Sequence, residues 1–525
     1  MKDFRVLLVA PIPSTELIDC YGVRILSSCL KREGCDVRII FLPRIVGEMY
    51  EEQTLNEITE LSRDCNLAGI SLMTDDFPNA VRITERIKRD SKIPIVWGGI
   101  HPTVKPQECL EHVEMICRGE GEETFVELVR RMRDGKSLLD IQGMWFKDKG
   151  KIIENRLRPL IQDLDSVPFP DSDLNDHYIL VKNHYLLVDK HIHRVNEKLL
   201  KDFWSRSYLT LASRGCHFSC TYCWNHVHNK MYAGQQVIRK RSTDNIIEEL
   251  KIAKERLPFS QAVWFNDDLF FVRTENEITD FARKYEKNIR LPLWISGASP
   301  SNLTREKLSV LVDVGLVDIR MGIQTASERT KKIYRRHNTN QQIEKTACLI
   351  NEFKEKIKVP KYDIILDNPW ETEDDLVETL MFLARLPVPY QLALHTLTLY
   401  PGTDLYEKAK MEGMSLDDPE DAWQKKHHKL KKTYLNNLFF LLRYYVPWAH
   451  VITPPVMFLL ANRKMRQLRI SWCLYIILKT GGVISFWMQY YLVEGYREIR
   501  KGNWSRIIRF GKRFFNVQKH RLHKD

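Results

Sequence analysis

Apolar and polar positions along the first 140 residues follow two alternating rhythms. Short, mostly apolar runs at 6–10, 37–42, 67–73, 93–97 and 115–117 read as strands. Between them, residues 22–32, 55–64, 78–90 and the stretch from about 122 to Met132 carry apolar side chains at helical spacing. Gly34 stops the first helix, and Gly98-Gly99 ends the fourth strand. Strand alternating with helix predicts a Rossmann-like, doubly wound parallel sheet over 1–140. Such sheets bind ligands outside the carboxyl ends of their strands, here the loops 11–21, 74–79, 98–103 and 118–122. The dinucleotide fingerprint G-x-G-x-x-G is absent after the first strand, so the pattern alone gives a small-molecule-binding domain and no ligand.

Residues 141–205 read as a connection. They open with a hairpin over 141–153 that turns at Lys149-Gly150, and continue into a Pro/Asp-rich linker at 164–174. Alternation then resumes over 206–410. Strands are predicted at 208–212, 262–270, 293–297, 318–324, 361–366 and 391–397. Ser or Thr at 325–327 caps one of the intervening helices. The last segment, 411–525, changes character. It joins the basic run 425–432 to apolar stretches at 438–445 and 470–493, and ends in a basic tail with Trp504, Phe510, Phe514 and Phe515. Neither apolar stretch makes a clean membrane span of ~20 residues. A mainly helical region is expected, either packed on a domain or lying on an anionic membrane surface.

Composition narrows this little. Hydrophobic residues at 44% and charged residues at 28% are a globular balance, and 525 residues imply two or three domains. A net charge of +12 fits an anionic membrane, nucleic acid or simple solubility; its concentration at the C-terminus favours lipid over nucleic acid. The 11 cysteines are scattered apart from one triplet, which fits a reducing, cytoplasmic setting, and the N-terminus does not read as a signal peptide.

The triplet is the chemical centre of the sequence. Cys216, Cys220 and Cys223 stand as C-x3-C-x2-C on a loop after the strand at 208–212, with Gly215 at the preceding turn. Three thiolates on one short loop hold three irons of a [4Fe-4S] cluster and leave the fourth open. Zinc is the competing reading, with Cys220 and Cys223 as a pair and His217, His226 or His228 completing a site.

With Tyr222 as the aromatic of C-x3-C-x-aromatic-C, the loop resembles the signature of the radical S-adenosylmethionine (SAM) superfamily. The resemblance implies a partial (β/α)6 TIM-like barrel over 206–410. It also implies that SAM binds the open iron and yields a 5′-deoxyadenosyl radical on reduction, and that Tyr222 lies near the adenine. The motif order continues through 265–270, Gly322-Ile-Gln324 and Tyr400-Pro-Gly-Thr403. Ser296, Arg320, Gln324 and Asn368 then fall at or near strand ends as SAM-binding candidates, where barrels place their sites. Gln324 replaces the family's usual glutamate; it still donates and accepts hydrogen bonds but is no carboxylate base.

Ahead of the barrel, residues 96–103 and 117–123 resemble the cobalamin-binding domain of class B radical SAM proteins, a group that includes methyltransferases and the anaerobic Mg-protoporphyrin ester cyclase. The likeness covers about residues 1–410 and implies Gly98, Gly99, His101, Pro102, Gly119, Glu120 and Gly121 as cobalamin contacts. The D-x-H-x-x-G motif that supplies a cobalt-ligating histidine is missing. His101 reads either as a substitute or as an ordinary turn histidine. The resemblance implies C-methylation, with one SAM methylating cobalamin and a second giving the radical. Ring closure or rearrangement on the same cofactors is the alternative, and a zinc-stabilised RNA- or membrane-binding protein the remote one. It also implies a ferredoxin or flavodoxin as electron donor. The apolar, basic C-terminus points to a hydrophobic substrate, a polyprenoid lipid or a tetrapyrrole, met in the cytoplasm or at the cytoplasmic face of a membrane.

Overall fold

The computed structural model describes residues 4–12, 20–43, 48–181, 184–188, 207–357, 359–416, 430–445 and 454–467. Its first sheet has nine strands: β1 (Arg5–Ile12), β2 (Asp36–Pro43), β3 (Leu67–Ser71), β4 (Ile95–Gly98), β5 (Met115–Cys117), β6 (Met144–Asp148), β7 (Lys151–Glu154), β8 (His177–Val181) and β9 (His184–Leu187). They lie in the order β7-β6-β5-β4-β3-β1-β2-β8-β9. β1 to β5 are mutually parallel, with β1 flanked by β3 and β2. This is the doubly wound topology that the apolar runs predict, and β1/β3 is its switch point. The hairpin β6–β7 turns at Lys149 and Gly150, both at positive φ as a two-residue turn demands. Together with β8 and β9, it places the 141–188 segment on both edges of this sheet.

The second sheet runs β10 (Ser207–Thr210), β13 (Ala262–Phe265), β14 (Leu293–Ala298), β15 (Leu316–Gln324), β16 (Lys361–Leu366) and β17 (Gln391–Thr396). All its pairs are parallel, six strands of the expected partial barrel. A short ribbon, β11 (Ser213–Arg214) with β12 (Arg239–Lys240), leaves β10 and carries the cysteine loop. The strand expected over 262–270 stops at Phe265, because the buried Asp267 turns back to accept from Ala212 N–H and Ser213 Oγ. Ser327, Thr339 and Thr372 cap helices with their side chains, as short polar residues at N-termini do.

Burial alternates strictly along β16 and β17 and along most of β15. The row under the helices is buried and apolar: Ile319, Met321, Ile323, Tyr362, Ile364, Leu366, Leu392 and Leu394. The opposite row, facing the lumen, is half-exposed and largely polar: Asp318, Arg320, Gln324, Lys361, Asp363, Gln391 and His395. Barrel interiors are ordinarily filled by packed branched side chains; this one is lined by polar groups instead.

The apolar stretch near the C-terminus forms the helix Tyr434–Tyr445, which packs against β17 and the helix Glu373–Arg385 with Leu435, Leu438, Phe439 and Leu442 buried. It covers an edge strand that would otherwise present unpaired backbone groups. Of the next helix, Pro454–Ala461, Met457 is buried while Phe458 and Leu459 are exposed. Among the described residues no helix is long and apolar enough to cross a membrane. The segments 470–493 and 497–524, on which a membrane contact was expected, lie outside the described residues.

The two sheets share one continuous apolar core. They are also pinned by charge: Glu120, at the carboxyl end of β5, accepts from Arg214 Nη1 at 2.9 Å and from Arg239 Nη1 at 2.8 and 2.9 Å, while Glu122 takes Arg214 Nη2 at 2.6 Å. Arg239 is 2% exposed. Burial pushes the Glu120 carboxyl up, but Arg214 and Arg239 outweigh it and hold its pKa below the usual glutamate value. A depressed carboxylate stabilises the folded state above its unfolded pKa and loses that contribution as pH falls through its folded one. Glu120→Gln leaves the buried Arg239 guanidinium without its carboxylate, while Arg214 keeps Glu122, and is expected to cost about 3 kcal/mol, the lower end of the usual penalty for breaking a buried pair. Chemical denaturation checks it: the gap between wild type and variant is full at neutral pH and narrows only below about pH 4.5.

Candidate active site

The cysteine loop is built by constraints on its backbone. Gly215 sits at φ +89°, and a Cβ there would collide with the carbonyl oxygen of Val237. Thr221 N–H donates to Tyr334 O at 3.2 Å and Thr221 Oγ1 to Ile333 O at 2.8 Å, which ties the loop to the end of the helix Glu328–Tyr334. Asn229 Nδ2 holds Cys216 O at 2.7 Å. Cys216 and Cys220 are buried and Cys223 is partly so. Burial pushes the Cys216 thiol up to about 12 and Cys223 up to about 11, so without metal these two are neutral at pH 7. Thiolate ligands form only as a metal group displaces their protons.

The three thiols fit the donor set of a polynuclear cluster with one open iron. Zinc needs its ligands about 2.3 Å from one point. Among the described residues no three of His, Cys, Asp and Glu converge that way. The candidate imidazoles are engaged elsewhere: His226 Nε2 lies 3.1 Å from Asp404, His228 packs on Tyr232, and His217 is exposed beside Phe218. Three thiols on one loop are what a [4Fe-4S] cluster with one open iron takes.

The SAM-binding candidates are distributed around the same rim and lumen. Tyr222 packs edge-on against Tyr334, centroids 5.0 Å apart. Gln324 ends β15 at φ +69°, and its amide folds over Gly322, 2.6 Å from where a Cβ would stand. Asn368 is buried, and its Oδ1 accepts from Trp370 N–H at 3.0 Å. Ser296 Oγ lies 3.0 Å from Trp264 Nε1. Arg320 reaches from β15 to both oxygens of Asp363 at 2.9 Å, with His395 Nε2 3.0 Å from the same carboxylate. Burial raises the Asp363 carboxyl, but His395 and Arg320 overcome it and leave the pKa low.

Sequence reading missed Arg336, Asp363 and His395. Arg336 donates to Cys220 Sγ at 3.6 Å and to Gly322 O at 2.6 Å, so one guanidinium links the cluster loop to the Gln324 turn. Its signal in the sequence is only a basic pair after a helix. Asp363 and His395 stand at alternate positions of apolar strands, a parity that marks them as lumen-facing once the register is known.

On the first domain, the candidate cobalamin contacts separate into two groups. Gly119 N–H donates to Thr103 Oγ1, and its φ of +77° brings it against Tyr232 Oη of the second domain. Glu120 holds the two arginines, and Gly121 packs near Leu26. His101 and Pro102 are buried; the His101 ring packs on Phe77 at 4.8 Å with Nδ1 3.3 Å from Thr74 Oγ1. Burial, then Lys105, lowers its pKa to about 4, so it is neutral. Gly99, at φ +102°, would place a Cβ 2.6 Å from Leu72 O and is demanded by the backbone. Gly98 is not: a Cβ there meets nothing closer than 3.8 Å. That edge faces the barrel rim, where Lys105 Nζ stands 5.2 Å from the Tyr406 ring and Val104 lies beside Gly402. These are the carboxyl ends at which doubly wound sheets bind their ligands.

Residues 17–129 match the B12 binding domain family, and residues 210–383 match the radical SAM superfamily. The chain is a cobalamin-binding radical SAM enzyme. Cobalamin, a [4Fe-4S] cluster and SAM are its cofactors. It is 27% identical to an uncharacterized methyltransferase, PH0819, of Pyrococcus horikoshii over 78% of this chain and 84% of that one. It is 23% identical to the anaerobic magnesium-protoporphyrin IX monomethyl ester cyclase of Rubrivivax gelatinosus, over 70% of this chain and 62% of the cyclase. Among solved structures, the radical SAM methyltransferase TsrM of Kitasatospora setae, with cobalamin and [4Fe-4S] cluster bound, superposes with a TM-score of 0.60 at 17% identity, over 78% of each chain, a likeness of fold.

Gly215→Ala tests how this radical SAM enzyme shapes its loop. The added methyl cannot be accommodated beside the Val237 carbonyl. Iron and sulfide per chain, measured after anaerobic reconstitution, are expected to fall several-fold while cobalamin uptake by the first domain persists.

Proposed function

We propose that this enzyme transfers a methyl group from SAM to a carbon of a hydrophobic small molecule, a tetrapyrrole or a polyprenoid lipid. The observation that carries the reading is the Glu120–Arg214 bridge, which draws the ligand edge of the cobalamin domain to within two residues of Cys216. A methyl carrier and a radical source then share one space. The methyltransferase name of the Pyrococcus horikoshii relative supports the same reading.

When bound, the cluster and SAM supply a 5′-deoxyadenosyl radical on reduction, and cobalamin supplies the carrier of the methyl group. The chain's own residues do the rest. In this reading Cys216, Cys220 and Cys223 hold the cluster, and Arg336 places a cation at its edge. Gln324, Asn368, Ser296 and Tyr222 surround SAM with neutral polar and aromatic groups. Arg320, Asp363 and His395 form a fixed polar strip in the lumen, which orients a substrate by hydrogen bonds while its apolar part meets Trp264 and Ile365. The helix Tyr434–Tyr445 seals the β17 edge and keeps water from the side of the barrel. A ferredoxin or flavodoxin is the electron donor in this reading, and the exposed Phe458 and Leu459 are consistent with work at a membrane face.

Ring closure without methyl transfer is the second reading, favoured by the likeness to the Rubrivivax gelatinosus cyclase. Product counting separates the two. Anaerobically purified enzyme is given SAM, reductant and test substrates of both chemical classes, with the Cys216→Ala/Cys220→Ala/Cys223→Ala variant beside it. Methyl transfer yields S-adenosylhomocysteine together with 5′-deoxyadenosine; ring closure yields 5′-deoxyadenosine alone. The triple variant is expected to lose 5′-deoxyadenosine formation entirely, and its persistence would remove the cluster assignment.

A further inference from the structure

The cluster takes its electron from another molecule, and the surface nearest its loop decides which molecule can deliver it. That surface is built by the ends of three helices. Cys223 N–H donates to Cys220 O at 3.1 Å, and from there the chain enters the helix Trp224–Met231. The same turn is stitched to two more helices. Thr221 N–H donates to Tyr334 O, at the end of the helix Glu328–Tyr334. Leu405 N–H, in the first turn of the helix Asp404–Met411, donates to Thr221 O at 3.1 Å.

The three helices meet in one charged cluster. Asp404 Oδ2 accepts from Arg335 Nη1 at 2.6 Å and lies 3.1 Å from His226 Nε2, while Asp404 Oδ1 accepts from Lys230 Nζ. The Asp404 side chain is 20% exposed, whereas those of Lys230 and Arg335 are 57% and 48% exposed. Arg335 is also held by its backbone, which takes φ +50° and donates from N–H to Lys332 O. Lys332, in the last turn of the same helix, is exposed too. Glu407, one turn beyond Asp404, is an exposed acid with the exposed Lys410 three residues on. A largely covered carboxylate thus fixes exposed cations, and the face turned to solvent is positive. Charge of one sign on a surface steers partners of the other. Nucleic acid and anionic lipid would meet the same charge, but a redox protein alone gains from lying against the cysteine loop.

We propose that Lys230 and Arg335, fixed by Asp404, are the docking surface for an acidic one-electron carrier protein of the flavodoxin or ferredoxin kind. The reduced carrier gives one electron to the cluster and leaves oxidised by one. The inference rests on the protein electron donor of the proposed function and holds for methyl transfer and ring closure alike. Its test is calorimetric titration of a flavodoxin, and separately of a ferredoxin, into the anaerobically reconstituted full-length enzyme. The KM for the same reduced carriers in 5′-deoxyadenosine formation is measured beside it. Lys230→Glu/Arg335→Glu is expected to weaken affinity and raise KM at least tenfold, and to flatten the salt dependence of both, because rim charges act through screened, long-range attraction. Turnover driven by titanium(III) citrate, a small reductant that needs no dock, is expected to match wild type. Arg283→Glu/Arg290→Glu makes the same change of charge elsewhere, on side chains 74% and 70% exposed, and is expected to leave affinity and KM unchanged. Should the first variant lose iron, Lys230→Gln/Arg335→Gln replaces it, with a several-fold loss of affinity expected. Unchanged affinity in the Lys230/Arg335 variants overturns the proposal, as does an equal loss in the Arg283/Arg290 variant or wild type that binds neither carrier. So does loss of binding to phosphatidylglycerol vesicles with carrier affinity intact, which would make the patch a lipid contact. The ratio of S-adenosylhomocysteine to 5′-deoxyadenosine does not depend on where the carrier docks, so this inference and the proposed methyl transfer fail separately.

Discussion

One buried carboxylate sets the geometry on which the rest of the molecule depends. Glu120 leaves the carboxyl end of β5, in the first sheet, and is gripped by Arg214 and Arg239, the two facing residues of the ribbon that carries the cysteine loop. The carboxyl edge of the first sheet and the ribbon that carries the cysteine loop are thereby held together. Such networks contribute little net stability, because desolvation offsets attraction. What they supply is directionality. An apolar contact of the same size tolerates sliding, whereas a carboxylate shared by two guanidinium groups has one register. Two cofactors carried on separate domains need that register more than they need the energy.

The backbone on both sides of the bridge is adapted to it. Gly119, immediately before Glu120, takes a left-handed conformation against Tyr232, and Gly215, immediately after Arg214, takes another against Val237. A side chain at either position would push the two loops apart. These glycines therefore serve close approach of protein to protein, which is why a glycine-rich loop in the sequence is an ambiguous sign of a ligand.

That ambiguity marks where sequence reading ends. The alternating apolar runs foretell both sheets, since burial on two faces leaves a strong local pattern. The cysteine loop is legible because its spacing is itself the chemistry. Glu120 reads as a ligand contact from its neighbours Gly119 and Gly121, yet its arginine partners lie 94 and 119 residues away and nothing local announces them. Arg320, Asp363 and His395 come from three strands, and only the register of β15, β16 and β17 brings them together. The apolar stretch 438–445 carries a similar lesson. Its composition suits a membrane surface as well as a core, and what decides is an unpaired strand edge that the sequence cannot display.

That edge also explains the shape of the active site. A six-stranded parallel sheet that does not close has two exposed sides, at β10 and β17. The first domain covers the β10 side, where Arg24 stacks over Tyr208 and Tyr21 meets Arg241. The helix Tyr434–Tyr445 covers the other and is locked there by Asp367, whose carboxylate accepts from Asn436 Nδ2, Lys431 N–H and Thr396 Oγ1. Asp367 itself ends β16 at φ +60°, an uncommon backbone for a residue with a side chain, and its three bonds hold it there. With both sides covered, the polar row of β15, β16 and β17 is shielded from the flanks of the sheet. The helix Tyr434–Tyr445 is thus a wall of the barrel, and its apolar content follows from the strand it covers.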